Sequence, residues 1–233
     1  MNNITKIEKG VFVKFQRGSI FKPEKDYYKF AGIILLLGCL QFFLAVNLAE
    51  TQFPGYDIAK NTFSDLGGTV PVVEPSAIIF NLSIILLGLL FLASVYLILK
   101  SGGCRLFSSC LAILSICAIG VGLFPEYIGS IHIIFALGAF IFGSLAVIFS
   151  YRLGLNIPMI ILSMFLGLMS LIILILQFSY GIGTINPIVA YLGVGGTERF
   201  IVYPLLFYLT ALGGYLTCRG KDWVRIRFTE GYW

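Results

Sequence analysis

Between the first and second long apolar segments lies a polar stretch, residues 53–68, which reads FPGYDIAKNTFSDLGG. It combines the turn formers Pro54 and Gly55 with two acids and a lysine, and it ends in SDLGG. The backbone of such a stretch cannot face lipid, because hydrocarbon offers its polar groups no water to bond. We therefore expect it to lie on a membrane surface or to line a cavity, with an apolar segment entering the membrane on each side of it.

The composition of the whole chain is that of a membrane protein. Of its 233 residues, 58% are hydrophobic and 12% charged, and the mean hydropathy is +0.96. Soluble domains carry about twice that share of charge. Apolar segments of about 20 residues are long enough to cross a bilayer as helices. The sequence contains six such segments: 28–49, 76–99, 106–124, 127–151, 157–180 and 200–218.

One helical bundle accounts for most of the chain. We predict an all-α fold, a polytopic six-helix transmembrane domain at residues 28–218, with a basic, amphipathic arm at 1–27 and a basic, aromatic tail at 219–233. Around Phe12 and Val224 both flanks alternate apolar and polar residues, which is typical of strands. Two interpretations stay open: the flanks pair as strands, or they lie separately at the membrane interface with their aromatic side chains among the head groups.

The distribution of positive charge predicts the orientation. All but two of the sixteen Lys and Arg residues lie in the termini or in connections on the same side of the membrane; Lys60 and Arg199 lie on the other side. Because segments rich in Lys and Arg stay cytoplasmic, we expect a multi-pass cell-membrane protein with both termini cytoplasmic and residues 53–68 outside. Basic segments beside a membrane bind anionic head groups, so we expect membrane lipids, not nucleic acid, as partners.

The cysteines and the histidine give no sign of a metal or cofactor. The loops on the outer side contain no cysteine, so no disulfide framework is implied. Cys104 and Cys110 lack the spacing of zinc ligands, and His132 is the only histidine, which leaves a haem without a second axial ligand. We expect neither a metal nor a cofactor.

Ionisable and amide side chains are concentrated at the outer ends of the predicted helices. Within a membrane such groups face the bundle interior and are candidates for function. The inner halves of the helices offer only hydroxyls, tyrosines and thiols, so we expect a polar cup that opens to the outside. Its members are Asn47, Glu50, Asp65, Asn81, Glu126, His132, Gln177, Glu198 and Arg199.

Two sets of candidate site residues come from this cup. For catalysis the candidates are Asp65, Glu126 and His132, as acid, base or metal ligand. We predict that Asp65 and Arg199 approach each other to within about 8 Å across the mouth of the bundle, since one basic residue among several acids at a membrane surface is expected to be paired. Asp65 can instead cap the loop backbone, and both interpretations stay open. The candidate ligand-binding residues are Asn81, Asp65, His132, Glu198 and Arg199.

The surroundings of His132 would distinguish a catalytic function from a binding function. We expect His132 to be hydrogen-bonded inside the cup, below Glu126 and at a similar depth to Asn81, with no transition metal. Nucleophilic catalysis by Ser64 with His132 depends on the distance between them, which the sequence does not give.

Several motifs resemble those of a known family, and they stand in the same order along the chain. They look like the archaeal branch of the family known as domain of unknown function 998, over roughly residues 28 to 218. The resemblance implies a six-helix integral membrane protein and supplies no substrate or catalytic residue. The motifs are Ala49-Glu50, FPGY at 53–56, NTFSDLG at 61–67, Phe80-Asn81, Phe124-Pro125-Glu126 followed by His132, and GGTER at 195–199.

Two classes of function follow from these observations. We favour a non-catalytic membrane protein whose cup binds a lipid head group or another small polar ligand, as an accessory subunit of a larger membrane assembly. The alternative is a membrane-embedded hydrolase or transferase that uses Asp65, Glu126 and His132. Multispanning lipid hydrolases with Ser, Asp and His use several histidines, and the single histidine here favours binding.

Overall fold

The computed structural model describes residues 26–181 and 186–218. The flanks around Phe12 and Val224, with the interpretations placed on them, lie outside these residues. Short 3₁₀ helices, Glu126–Ile128 and Ser150–Leu153, precede and follow the fifth α-helix. The α-helices of the described residues are α1 (Tyr27–Thr51), α2 (Phe63–Gly68), α3 (Ser76–Lys100), α4 (Arg105–Leu123), α5 (Ser130–Phe149), α6 (Ile157–Tyr180) and α7 (Pro187–Thr217).

Within the described residues, every α-helix except the short α2 is long and apolar enough to cross a membrane. The prediction of an all-α fold with six membrane-spanning helices is therefore confirmed. The first five predicted segments agree with observed helices to within a few residues. The chain is thus a multi-pass membrane protein, while the side on which its termini lie stays a prediction.

The sixth spanning helix begins earlier than predicted. The sequence suggests a loop up to Thr197, but α7 starts at Pro187. The Asn186 side chain accepts the Ile188 N–H at 3.0 Å, and proline occupies the first helical turn, two features that favour a helix start. Gly193, with φ of 75°, then interrupts the helix. This glycine therefore marks a kink within α7 and not a loop before it.

The six spanning helices form a closed ring. Around the ring they follow the order α1, α3, α4, α5, α6, α7, and α7 packs against α1. Glycine allows the closest approaches: a Cβ on Gly32 of α1 would lie 2.5 Å from the Gly213 carbonyl oxygen of α7, and one on Gly88 of α3 would lie 2.5 Å from the Ser115 carbonyl oxygen of α4. Helix backbones in lipid come together through such small residues.

One end of the ring carries the polar stretch, and we call it the polar end. It comprises residues 52–75 between α1 and α3, residues 124–129 between α4 and α5, and the first turns of α7. The short helix α2 lies here and packs against α1, α3, α7 and the 3₁₀ helix Glu126–Ile128. Because these partners come from different parts of the ring, α2 covers the end of the bundle.

Candidate functional site

The first turn of α2 is capped by its own residues. Thr62 Oγ1 accepts the Asp65 N–H at 3.1 Å, and the Asp65 carboxylate accepts the Thr62 N–H at 2.9 Å. This reciprocal pair is a capping box, which satisfies backbone donors that a helix start leaves without partners. Asn61 Nδ2 donates to the same carboxylate oxygen at 3.1 Å. Asp65 therefore caps the backbone, one of the two interpretations drawn from the sequence.

The last residues of α2 lie directly against the ring. Leu66 is buried in the core with 1% of its surface exposed. A side chain on Gly67 would overlap the side chain of Asn81, and one on Gly68 would overlap the backbone of Glu126. Asn81 Nδ2 donates to the Gly67 carbonyl oxygen at 3.0 Å. The two glycines thus let α2 lie flat on α3 and on the 3₁₀ helix.

Ser64 and His132 face each other between α2 and α5. Ser64 Oγ lies 3.0 Å from His132 Nε2, and His132 Nδ1 lies 2.8 Å from the Phe124 carbonyl oxygen. The imidazole is buried, with 4% of its surface exposed. The prediction that His132 is hydrogen-bonded is confirmed; its partners are Ser64 and a backbone carbonyl.

Glu126 is a half-buried carboxyl at the same end. Burial, followed by the neighbouring Asp65 carboxylate, raises the pKa of Glu126 to about 7, because both favour the neutral form. Its Oε2 atom is buried and has no hydrogen-bond partner among the described residues. Glu126 can therefore hold a proton near neutral pH, and it has an oxygen free for a further partner.

Arg199 is the centre of a separate cluster. Its nearest carboxylate is that of Glu50, at 2.7 Å, so its ion pair is with Glu50 and not with Asp65; how closely Asp65 approaches Arg199 stays a prediction. Glu50 lies in the last turn of α1, which packs against α7, whereas Asp65 turns back toward the start of α2. The guanidinium also lies 4.5 Å from the centre of the Phe63 ring, a favourable cation–π distance. Its hydrogen-bond acceptors are Glu50, the Tyr56 hydroxyl, and the carbonyl oxygens of Ile58, Asn61 and Gly195.

Glu198, although next to Arg199 in sequence, belongs with α2. Its carboxylate accepts the Phe63 N–H at 2.6 Å, and the residue is 8% exposed. This bond ties the first residue of α2 to α7. The structure thus groups Asp65, Glu126, His132, Asn81 and Glu198 around α2, while Arg199 pairs with Glu50 and lies against the Phe63 ring.

A narrow cavity runs into the bundle from α2. Among the described residues that line it, only Ser64 and Glu198 are polar, and the other lining side chains are aliphatic or aromatic. Its volume is about 80 Å³. The cavity is therefore a slot and not an open chamber.

The length of the cavity follows from the residues that line it. On α3 they extend from Phe80 to Phe91, and on α7 from Glu198 to Leu209. At the helical rise per residue, each set spans about 16 Å. This is about half the thickness of the hydrocarbon core of a bilayer. The cavity thus has the depth of one lipid leaflet.

The metal-binding side chains around α2 do not converge on one point. In the part of the chain that the structure describes, no three His, Cys, Asp or Glu side chains form a group that could hold a metal ion. Asp65 and Glu198 each accept backbone N–H groups. The chemistry that the site can supply is therefore that of hydroxyl, imidazole and carboxyl groups.

The comparisons with known proteins identify the family. The family described as "Protein of unknown function (DUF998)" matches residues 36–215, which include four of the six membrane-crossing helices in full and most of the first and the last. The chain belongs to this family. No curated protein and no solved structure matches it. The resemblance seen in the motifs is thus confirmed for the family, while the archaeal branch stays a prediction.

One contributor to the polar end and the partner of another were not recognised from the sequence. Glu50 was placed in the cup without a partner, and Tyr56, whose hydroxyl receives a hydrogen bond from Arg199 at 2.7 Å, was not singled out. A signal for the cap of α2 was present, since Thr62 and Asp65 have the spacing of a capping box. For the Glu50 pair there was no local signal, because it depends on which helices are neighbours in the ring.

Proposed function

We propose that this protein binds the hydrocarbon chain of a single amphiphile inside its helix ring, with the head group at α2. The observation that carries the proposal is the slot lined by apolar side chains that ends at Ser64 and Glu198. Its depth suits one leaflet, and its narrow bore suits one linear chain better than a ring system. A mostly apolar pocket with a few convergent polar groups is typical of small-molecule sites.

The head group is proposed to be uncharged and hydroxylated, or cationic. Arg199, the basic residue that the sequence placed in the cup, already has five acceptors, so it offers an anionic head group little. The carboxyl that lines the slot is instead that of Glu198, and the carboxyls of Asp65 and Glu126 lie near it around α2. Carboxyl oxygens accept hydrogen bonds from hydroxyl and ammonium groups.

The polar end is proposed to face the outside of the cell membrane. The support is the distribution of Lys and Arg, most of which lie in the termini and in the connections at the opposite end. The amphiphile would then come from the outer leaflet. We also propose that the chain works with other membrane-protein subunits, an idea that rests on its basic, aromatic flanks at residues 1–27 and 219–233.

The alternative is a hydrolase or transferase that uses Asp65, Glu126 and His132. The arrangement of these three residues gives it weaker support. The Asp65 carboxylate caps α2, and Glu126 is next to Asp65 and not to the imidazole's hydrogen-bonding atoms. The hydrogen-bonded side-chain partner of His132 is Ser64. Binding therefore remains the primary proposal.

A photoactivatable amphiphile tests this binding. We expect a single-chain lipid with a diazirine in its chain to cross-link to residues of α3 and α7 that line the slot. Ala139 lines the slot, and Ala139→Phe should weaken binding about tenfold, because overfilling a packed site costs about 1–3 kcal/mol. Ala93 is exposed on the outside of α3, so Ala93→Phe is the matched control. Equal labelling of the two variants, or labelling only on outward faces, would refute the proposal.

A further inference from the structure

The hydrogen bond between Ser64 and His132 has a defined donor and acceptor. A carbonyl oxygen only accepts hydrogen bonds, so His132 Nδ1 must carry the hydrogen that points at Phe124. In the neutral imidazole Nε2 then holds the lone pair, and the Ser64 hydroxyl donates to it across 3.0 Å. This is the arrangement in which a histidine removes the proton of an attacking hydroxyl.

Both partners are held in place by other contacts. The Ser64 backbone lies between Phe63, whose N–H is bonded to Glu198, and Asp65, which closes the capping box. The imidazole is fixed by the Phe124 carbonyl, a group on a different segment from Ser64. A nucleophile and base that are positioned before substrate arrives avoid part of the entropic cost of reaction.

The slot leads to the hydroxyl. Ser64 is one of two polar residues that line it, whereas every other described lining residue is apolar. A chain that fills the slot to its polar end therefore places the first polar atoms of its molecule beside Ser64. In a lipid-like ester those atoms are the carbonyl carbon and its oxygens.

We propose that Ser64 is a nucleophile that accepts the acyl group of an amphiphilic carboxylic ester, with His132 as its base. The inference rests on the proposed function, because the chain of the ester occupies the slot. It adds a reaction to a site for which the sequence favoured binding alone. The substrate class is an ester of a linear, long-chain acid with an uncharged or cationic alcohol.

The reaction has two balanced halves. Ser64 Oγ forms a bond to the carbonyl carbon while its proton passes to His132 Nε2; the bond to the alcohol oxygen then breaks, and that oxygen takes the proton. Water next attacks the acyl-serine and gives a proton to Nε2, which returns it to Oγ as the acyl–oxygen bond breaks. The sum is ester plus water to acid plus alcohol, and a second alcohol in place of water gives transfer.

The test uses the full chain in mild detergent and a dodecyl fluorophosphonate, which phosphonylates an activated serine and releases fluoride. We expect peptide mapping to find the label on Ser64 of the unaltered chain. His132→Gln should slow labelling about 100-fold or more, the range for loss of a general base. Ser83→Ala is the matched control: Ser83 is a buried serine of α3 that does not line the slot and donates to the Phe80 carbonyl of its own helix. It should label like the unaltered chain.

If a substitution prevents folding, a comparison of two probes on the unaltered chain still tests the proposal. Labelling with the dodecyl probe should exceed that with an ethyl fluorophosphonate about tenfold, because the slot binds the longer chain. A label absent from Ser64, or unaffected by His132→Gln, would overturn the inference. If the diazirine lipid still cross-links in the slot, the binding proposal stands without it; if neither probe reacts there, both fail.

Discussion

Two polar clusters lie side by side at the polar end, and they differ in how completely their groups are satisfied. Around Arg199, one guanidinium meets five oxygen acceptors and two aromatic faces. Around α2, which carries Ser64, the structure leaves Glu126 Oε2 and Asn81 Oδ1 buried without partners among the described residues. A satisfied cluster stabilises a fold, whereas unsatisfied buried groups require another explanation, such as a ligand.

The two clusters share a single sequence motif. Within GGTER at 195–199, Glu198 bonds the start of α2 and lines the slot, and Arg199 holds the loop between α1 and α2. Adjacent helix residues point in different directions, since a helix has 3.6 residues per turn. In one turn of α7, Glu198 therefore lines the slot and the next residue, Arg199, binds the loop.

The largest expected effect comes from breaking the Arg199 cluster. Arg199→Met leaves the Glu50 carboxylate unpaired, with 17% of its side chain exposed, and removes a donor from two loop carbonyls and from the Gly195 carbonyl of α7. We expect a loss of about 3–5 kcal/mol in the free energy of unfolding, the usual result of removing one partner from a buried pair. Unfolding in mild detergent, monitored by circular dichroism, measures it.

The matched control is the second ion pair in the described chain, which lies in the same loop. Lys60 Nζ is 3.1 Å from Asp57, but the lysine side chain is 83% exposed. Lys60→Met should therefore cost less than about 1 kcal/mol. Similar losses for the two variants would show that the Arg199 cluster does not hold the loop.

A smaller effect is expected where the loop touches α7. The Gly195 N–H donates to the Ala59 carbonyl oxygen at 2.9 Å, and a side chain at Gly195 would overlap the Asn61 carbonyl oxygen. Gly195→Ala should lower the free energy of unfolding by about 1–3 kcal/mol, the cost of overpacking. Gly214, in the same helix, has nothing within 4 Å of the added carbon, so Gly214→Ala should leave stability unchanged or raise it. Equal thermal midpoints for the two variants would contradict this contact.

The spanning helices could be predicted because membrane thickness fixes the length of an apolar segment. The start of α7 could not, because its glycines are typical of a loop. Only the packing of Gly193 and Gly195 against the carbonyls of Ala59 and Asn61 explains why glycine is needed in a helical segment. Local composition therefore did not predict the start of α7, because contacts with residues distant in sequence determine its backbone conformation.

The members of the site could be predicted, but not their partners. Charge and depth placed Asp65, Glu198 and Arg199 at the same end of the bundle, which is correct. The pairing of Arg199 with Glu50 depends on the packing of α1 against α7, and the contact of Ser64 with His132 depends on the position of α2 between α3 and the 3₁₀ helix. Helix order around the ring and helix rotation are not encoded in hydropathy, so these contacts needed the structure.

The last prediction concerns the pH dependence of stability that Glu126 causes in the cluster around α2. The pKa of Glu126 rises from 4.5 to about 7 on folding, through burial and the Asp65 carboxylate. A carboxyl whose pKa is raised binds its proton more tightly in the folded state, so the contribution of Glu126 to stability is largest below pH 4.5 and is lost as the pH rises through about 7. In Glu126→Gln this part of the pH dependence should disappear, whereas Glu74→Gln, which alters an acid with no part in the α2 cluster, should retain it. Thermal midpoints in detergent between pH 4.5 and 8 measure the difference. Parallel curves for the unaltered protein and Glu126→Gln would show that the Glu126 carboxyl is solvated. Glu126 would then no longer count as an unsatisfied buried group of the α2 cluster.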